Sequence, residues 1–492
     1  MMDYLIGLDI GTTNIKALVI DRTGQPMAYS KRPSPFAQFG CHQAYYADVF
    51  WANIRALLAE AVADMRRKGA NPAGLRGIAV SSMGEMGFPV GREDALFPAI
   101  SWHDQCTVPY MELLKERVPE EMQLNLLGQR FLYIFTIAKL MWLKEQHPQV
   151  YEQMETWLCM ADYVAFKLCG SRCMDLSLSA RTGMLDYQNL CWSEPIVAQA
   201  GIALEKLPQL VHSGEPLGTL QRSVAEETGI PQGTPVFAGG HDHVCASFAC
   251  GGGLPGILVD SSGTTEVLTL PEKSPSRLVS AGKGGFNLGP HVRRGMYYIM
   301  GGILASGASV DWYQRTFGPG AAQQRTIGSL TFVPHLRGSS SPSRDSRAKG
   351  AFLGITDACT SEDFMQAVYE GLAFELRVTA EGVTGGRMPD RLIGVGGGYL
   401  NDSWSQLKAN ILETEINVPV VQEATAMGAA LLAGLGSGVF AEPEEAFSAT
   451  FQVGKRFMPQ GAHQSYYREK LSIYRSLYQT MLETNAALSA LN

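Results

Sequence analysis

Several common signatures are missing from this chain of 492 residues. No Gly-x-x-x-x-Gly-Lys-Ser/Thr run occurs, which excludes a P-loop nucleotide site. No Gly-x-Gly-x-x-Gly follows an expected strand, so the dinucleotide fingerprint is absent as well. The nine cysteines contain no Cys-x-x-Cys pair. Cys169 and Cys173 come nearest, and without partners they do not make a zinc site. An odd number of scattered thiols is expected to stay reduced, in the core of a cytoplasmic protein. There is no basic block and the net charge is −7, which argues against nucleic acid as a partner. The N-terminus lacks a basic segment and carries Asp3 and Asp9 in its apolar stretch, so no secretory signal is expected. The longest apolar run, 426–440, is short and glycine-rich, and no membrane span is expected.

What is present is a globular composition, 46% hydrophobic and 18% charged, long enough for two or three cores. Glycine is abundant at 53 residues, which suggests many turns and close backbone approaches. The opening stretch sets two apolar runs, Tyr4 to Ile10 and Ile15 to Ile20, around a polar hinge of Gly11, Thr12, Thr13 and Asn14. Each run is too short for a typical helix and is rich in Ile, Leu and Val, so a β-hairpin is expected. Backbone N–H groups and hydroxyls at such a hinge suit phosphate oxygens. Asp9 is an acid on a strand that otherwise reads as buried, and a hydrated cation would partner it. An ordinary hairpin capped by polar residues fits the same residues.

Farther along, Gln25 to Arg32 reads as a third strand, and a helix capped by Asp48 carries Trp51, Ile54, Leu58, Val62 and Met65 on one face. Leu75 to Ser81 reads as a strand that enters a glycine-broken loop at Gly84 and Glu85. Thr136 is placed as the cap of a helix to Gln146, and Glu152 to Leu168 reads as helical. Met174 to Tyr187, with Arg181, reads as strand and loop. Thr234 to Ala246 reads as a strand, a glycine turn and a small-residue helix. Leu258 to Asp260, leading into Ser261 to Val267, reads as a second strand-turn-strand that repeats the pattern of the opening hairpin, an apolar run, Gly-Thr-Thr and an apolar run. Two related halves facing a shared cleft would explain the echo. Arg337 to Arg347 reads as a mobile loop. Arg391 to Val395, Gly396 to Gly398 and Ser403 to Leu412 read as strand, turn and helix, which would point N–H groups at a ligand.

Together these motifs resemble the FGGY carbohydrate kinases of the actin-like ATPase superfamily. Asp9-x-Gly11-Thr12-Thr13 with Lys16 is similar to the first phosphate motif, and Phe135-Thr136-x-x-Lys139 with Trp142 to the interdomain helix. Gly239-Gly240-x-Asp242 is similar to the catalytic turn, Ser262-Gly263-Thr264 to the second phosphate motif, and Gly396 to Gly398 with Asn401 to the adenosine motif. The longest match is Gly350-x-Phe352-x-Gly354-Ile355 followed by Asp363-Phe364 and Ala367 to Glu370.

The resemblance implies an α/β protein of two actin-like, ribonuclease H-like domains, mixed sheets flanked by helices, around a central catalytic cleft. Residues 1–249 would bind the sugar and 250–492 the ATP. The implied reaction moves the γ-phosphoryl of ATP to a hydroxyl of a small ketose, polyol or related sugar. Asp242 would be the general base. Asp9 would hold Mg²⁺ through water. Thr12, Thr13, Lys16, Gly263 and Thr264 would grip phosphates from Gly11 onward. Gly307, Gly397, Gly398 and Asn401 would complete the nucleotide contacts, and Gly84, Glu85, Trp102, Asp104 and His243 would border the acceptor.

The chain departs from the family at Cys106, where an Arg is common, and at Gly84 to Met86, where a His or Arg often stands. Glu85 and Asp104 disfavour an anionic acceptor, so a neutral ketose or polyol is expected, although the run Gly239 to His243 is similar to the gluconate and fuculose branch. Trp102 suits either stacking on a sugar or core packing. His241, Asp242 and His243 read as a metal cluster lack a third ligand, and on an extended turn Asp242 would oppose both histidines. The alternative function is a catalytically inactive sensor or scaffold on the same fold, and a chaperone-type ATPase would need a peptide-binding domain that is missing. No membrane partner is expected, and a homodimer is compatible with the reading.

Overall fold

The structure is a computed structural model that describes residues 2–251, 253–320, 326–389, 391–420 and 423–491. The chain forms two compact units. The first holds Met1–Gly253, Leu288–Tyr298 and Glu423–Phe451, and the second holds Leu254–Asn287, Ile299–Gln422 and Gln452–Asn492. Among the described residues no helix is long and apolar enough to cross a membrane.

The first unit is built on strands β1 (Tyr4–Ile10), β2 (Asn14–Asp21), β3 (Pro26–Pro33), β4 (Leu75–Ser82), β5 (Pro216–Thr219) and β6 (Pro235–His241). Their order in the sheet is β5-β6-β4-β1-β2-β3. The hairpins β1–β2 and β2–β3 are antiparallel, whereas β1, β4 and β6 run parallel. The continuous apolar run of β1 is buried along its whole length, as expected for a strand covered on both faces. One cover is helix α1 (Ala47–Arg67), which buries Ile54, Leu58, Val62 and Met65 on the face its periodicity predicts. Its N-cap position is Tyr46, with no side-chain cap; Asp48 lies inside the first turn, where an acid still favours the helix dipole.

In the second unit, β7 (Leu258–Ser262) and β8 (Glu266–Glu272) form an antiparallel hairpin. β7 runs parallel to β9 (Arg391–Val395), β9 parallel to β10 (Glu415–Pro419), and β10 antiparallel to β11 (Val453–Phe457). These five belong to a seven-stranded sheet. The pattern is that of the first unit: a hairpin, two further parallel strands and an antiparallel edge. The similarity between the two Gly-Thr-Thr turns thus extends to the strands that carry them.

Four further expectations need correction. The stretch Glu152 to Leu168 is not one helix. Strand Thr156–Cys159 interrupts it because it pairs with Gly87–Val90, a partner some 70 residues earlier that local periodicity does not reveal. Gly239 and Gly240 lie inside β6 rather than in a turn, and helix α2 (Asp242–Gly251) starts directly after His241. A Cβ on Gly239 would sit 1.9 Å from the Val80 carbonyl oxygen, so close strand packing explains that glycine. The loop Arg337 to Arg347 is pinned: Arg344 donates to the Gly285 carbonyl at 2.6 Å and to Asn287 at 2.8 Å. Thr136 is the first residue of its helix, capped from position Phe135 without a side-chain bond.

The segment 423–451 returns to the first unit through helix α3 (Ala424–Gly436), which packs on β1. A Cβ on Gly7 would lie 1.8 Å from the Ala426 carbonyl oxygen and 2.6 Å from the Ala430 nitrogen. Gly7→Ala should therefore destabilise the protein by about 1–3 kcal/mol through overpacking. Denaturant unfolding checks this against Gly461→Ala, where nothing lies within 4 Å and no loss is expected.

Candidate functional site

Strand register sets the site in the first unit. Asp9 lies beside Ser81 and Ile10 beside Ser82 on the parallel neighbour, while Ser81 and Ser82 lie beside Gly240 and His241. Three carboxyl ends therefore finish together, the edge at which open α/β sheets bind ligands. Asp242 follows as the first residue of α2. Two strand spacings of about 5 Å separate the strand bearing Asp9 from the one leading to Asp242.

Asp9 is only 7% exposed. Its counter-charge, Lys16, lies directly across the hairpin with Nζ 3.7 Å away. Lys16 is shared: it donates to Glu423 Oε2 at 2.6 Å, and Tyr29 OH donates to Glu423 Oε1 at 3.0 Å. Burial dominates and raises the Asp9 carboxyl; Lys16 opposes it, the charges of Asp242 and Glu423 add to it, and the result is about 7. A buried carboxylate held this high is undercompensated, and a divalent cation on it fits the chemistry. The hinge is braced from behind. Ser34 Oγ donates to the Gly11 carbonyl at 2.6 Å and its N–H to the Thr13 carbonyl at 3.0 Å. Thr12 Oγ1 accepts a hydrogen bond from Trp102 Nε1 at 3.4 Å, which joins the phosphate-type turn to the expected acceptor element.

The acceptor candidates gather around two cations that the sequence reading left out of the site. Glu85, at φ 62°, and Arg181 are both nearly buried. Glu85 Oε1 accepts from Arg181 Nε at 2.7 Å and also from Nη2. Gly84 lies against Arg181 and His241, since an added Cβ would meet them at 2.8 and 3.1 Å. Lys139 is buried and donates to the carbonyls of Trp102 (3.3 Å) and Ile134 (3.0 Å). Burial lowers its ammonium to about 8, against the pull of Glu85, Cys106 and Asp104. Asp104 Oδ1 accepts from the Cys106 N–H at 2.9 Å and pairs with His42 Nδ1 at 3.1 Å. Burial alone would raise this carboxyl, but those bonds outweigh it and hold it low. Trp102 is half-buried and packs partly on the core. The acids that were expected to repel an anion thus each carry a cationic or hydrogen-bonded partner.

His241 and His243 do not stand opposite Asp242. Their Nε2 atoms lie 3.4 and 4.0 Å from its Oδ1, because α2 begins at Asp242 and bends the chain. Burial drives His241 down to about 3, so it is neutral beside that carboxylate.

The second unit gathers the other candidates. Ser261 on β7 pairs with Val395 on β9, so the Ser262-to-Thr264 turn and Gly396 to Gly398 leave the sheet side by side. Gly307 N–H donates to the Gly263 carbonyl at 3.0 Å, at the start of helix α4 (Gly307–Phe317). Gly397 faces open space, whereas Gly398 lies against Ser262 Oγ. The Asn401 carboxamide oxygen is committed to capping the helix Asp402–Leu412, accepting from Trp404 N–H at 3.1 Å. Beneath both turns is Lys408, fully buried, which donates to Ser262 Oγ at 3.1 Å and to Glu266 Oε1. Glu266 Oε2 accepts from Ser306 Oγ at 2.6 Å, and Tyr399 OH binds Asp260. Burial and the neighbouring Glu266 push Asp260 far up, so it is protonated and one negative charge faces Lys408. A Lys inside an amphipathic helix gives no local sign of this.

Two outcomes follow. Between about pH 4 and 7 the folded protein keeps a proton on Asp9 that the unfolded chain releases, so this group makes stability fall as pH rises. Asp9→Asn should remove that slope: in chelator the variant should melt above wild type at pH 8 and match it near pH 4, as read by thermal unfolding. Arg181→Met leaves Glu85 buried and unpaired, and should destabilise by about 3–5 kcal/mol. Denaturant titration should show part of the loss recovered by adding Glu85→Gln.

Known proteins share this architecture. Residues 4–249 match the N-terminal domain of the FGGY family of carbohydrate kinases, and residues 258–437 match its C-terminal domain. A xylulose kinase of Bacillus subtilis is 30% identical over 505 residues, covering 99% of each chain. An L-fuculokinase of Escherichia coli K12 is 29% identical over 467 residues, 93% of this chain and 98% of its own. The crystal structure of a xylulose kinase from Lactobacillus acidophilus superposes with a TM-score of 0.88 at 22% identity, over 99% of this chain and 100% of its own, a likeness of fold. With both domain families matched along most of its length, the chain belongs to the FGGY family of carbohydrate kinases.

Proposed function

We propose that the protein transfers the γ-phosphoryl group of ATP to a hydroxyl of a small neutral ketose. The observation that carries this is the arrival of Asp9 and Asp242 at one sheet edge, with the Trp102–Thr12 hydrogen bond tying the acceptor element to the same turn. The names of the two relatives above, a xylulose kinase and an L-fuculokinase, support a ketose.

Phosphoryl transfer needs positioning and charge neutralisation more than covalent help from the protein. Asp242 accepts the proton of the attacking hydroxyl as its oxygen bonds to phosphorus and the bond to the departing ADP oxygen breaks. Neutral His241 beside it removes no proton from solvent at working pH and leaves Asp242 as the base. Mg²⁺, when held by Asp9 through water, would neutralise phosphate oxygens. Thr12, Thr13 and Lys16 bind the phosphates from the first hinge, and Gly263 and Thr264 from the second. Gly307, Gly397 and Gly398 lie along the nucleoside. Asn401 acts by capping the helix that follows its turn. Trp102 stacks on the sugar, while Asp104, Glu85 and His243 take hydroxyls beside Gly84.

The test is ADP release over a panel of pentuloses, hexuloses, polyols and aldonates. A ketose is expected to give the highest kcat/KM, and Asp242→Asn is expected to lower kcat about 10²–10⁴-fold with sugar affinity retained. An Asp242→Asn enzyme turning over at the wild-type rate would remove Asp242 from the role of base. Tight sugar binding with no ADP release on any acceptor would point instead to a sensor.

A further inference from the structure

Cys106 stands where an Arg was expected, and the structure gives it unusual neighbours. His42, Asp104 and Cys106 each place a ligand atom within 4.8 Å of the other two. His42 lies at the start of the short strand His42–Tyr45, whose antiparallel pairing with Ala99–Ile100 brings it opposite the turn bearing Asp104 and Cys106. The imidazole is fixed in place: its ring lies 5.4 Å from that of Trp142 and 6.4 Å from that of Phe39. Its Nδ1 faces Asp104 at 3.1 Å, and its Nε2 lies 3.5 Å from Cys41 Sγ.

We propose that His42 Nδ1, the Asp104 carboxylate and Cys106 Sγ form a binding site for a thiophilic divalent cation of the Zn²⁺ class. One imidazole, one carboxylate and one thiolate are zinc-type donors, and a thiol is a poor ligand for Mg²⁺. Tetrahedral zinc at 2.0–2.3 Å would hold its ligands about 3.3–3.8 Å apart; the His42–Asp104 pair is already that close, and the Cys106 sulfur has to move by no more than about 1–1.5 Å. Ligation by Nδ1 leaves Nε2–H to donate to Cys41 Sγ, the kind of outer contact that fixes a metal-binding tautomer. Three protein ligands leave a fourth position open. Lys139 faces the cluster and opposes a cation, but the Asp104 carboxylate offsets it, and burial raises the Cys106 thiol to about 12, a proton that the metal has to displace. On binding, the Cys106 proton passes to solvent and a Zn–S bond replaces the S–H bond.

Asp104 serves both the metal and, under the function proposed above, the acceptor. Zinc should therefore compete with the sugar, and that consequence rests on the proposed function while the metal site does not.

Full-length protein is titrated with Co²⁺ in Mg²⁺ buffer, followed by equilibrium dialysis against Zn²⁺. One equivalent is expected, with a thiolate-to-cobalt charge-transfer band. Cys106→Ser should abolish the band, and both Cys106→Ser and His42→Gln should weaken Zn²⁺ at least about tenfold. No thiolate band in wild type, or a band that survives Cys106→Ser, overturns the site. If the band behaves as expected but a saturating ketose that the enzyme phosphorylates leaves Zn²⁺ affinity unchanged, the site stands and the placement of the acceptor on Asp104 falls.

Discussion

Parallel neighbours end on the same edge, and the candidate site depends on that constraint. In the first unit it brings Asp9, Ser82 and Asp242 to three adjacent strand ends although they lie in three separate parts of the sequence. In the second unit it sets the Ser262–Thr264 turn beside Gly396–Gly398. A shift of one residue in either pairing would turn Asp9 or Ser262 to the other face of its sheet. The buried apolar residues of β1 hold that register, so the chemistry is positioned by packing that takes no part in it.

That dependence explains what could be read from the sequence. A strand such as Tyr4–Ile10 shows itself as a short apolar run, and the paired Gly-Thr-Thr hinges reflect a topology that both units share. Whatever rests on a distant partner stayed hidden. Thr156–Cys159 reads as helix because its β partner is Gly87–Val90. Gly239 reads as a turn because the main chain of Val80 that excludes a side chain there is far away in sequence. Arg181 was visible only as part of the strand and loop read for Met174 to Tyr187, because its pairing with Glu85 spans 96 residues. Lys408 gave no local sign at all.

The hidden partners share one physical origin. A carboxylate carried to a buried strand end is costly unless a cation or donor accompanies it. Glu85 has Arg181, Asp104 has His42 and a backbone N–H, and Glu266 has Lys408. Asp260 has a share of Lys408 and the hydroxyl of Tyr399, too little to keep it ionised beside Glu266, and is protonated instead. Asp9 has only a share of Lys16 and sits near neutrality.

Asp9 is thus the acid in the first unit's site whose compensation the fold leaves incomplete, and that has a use. A carboxylate fully satisfied by protein donors would gain little from a cation, since binding would first have to break those bonds. One raised by burial gains most when positive charge arrives, and binding shifts it fully to the ionised form. The same reasoning separates the two proposed cation positions. Asp9, which offers only carboxylate oxygens, suits a hard hydrated ion. The His42–Asp104–Cys106 group, already neutralised by hydrogen bonds, needs a softer ion whose bond to sulfur outweighs the contacts it displaces.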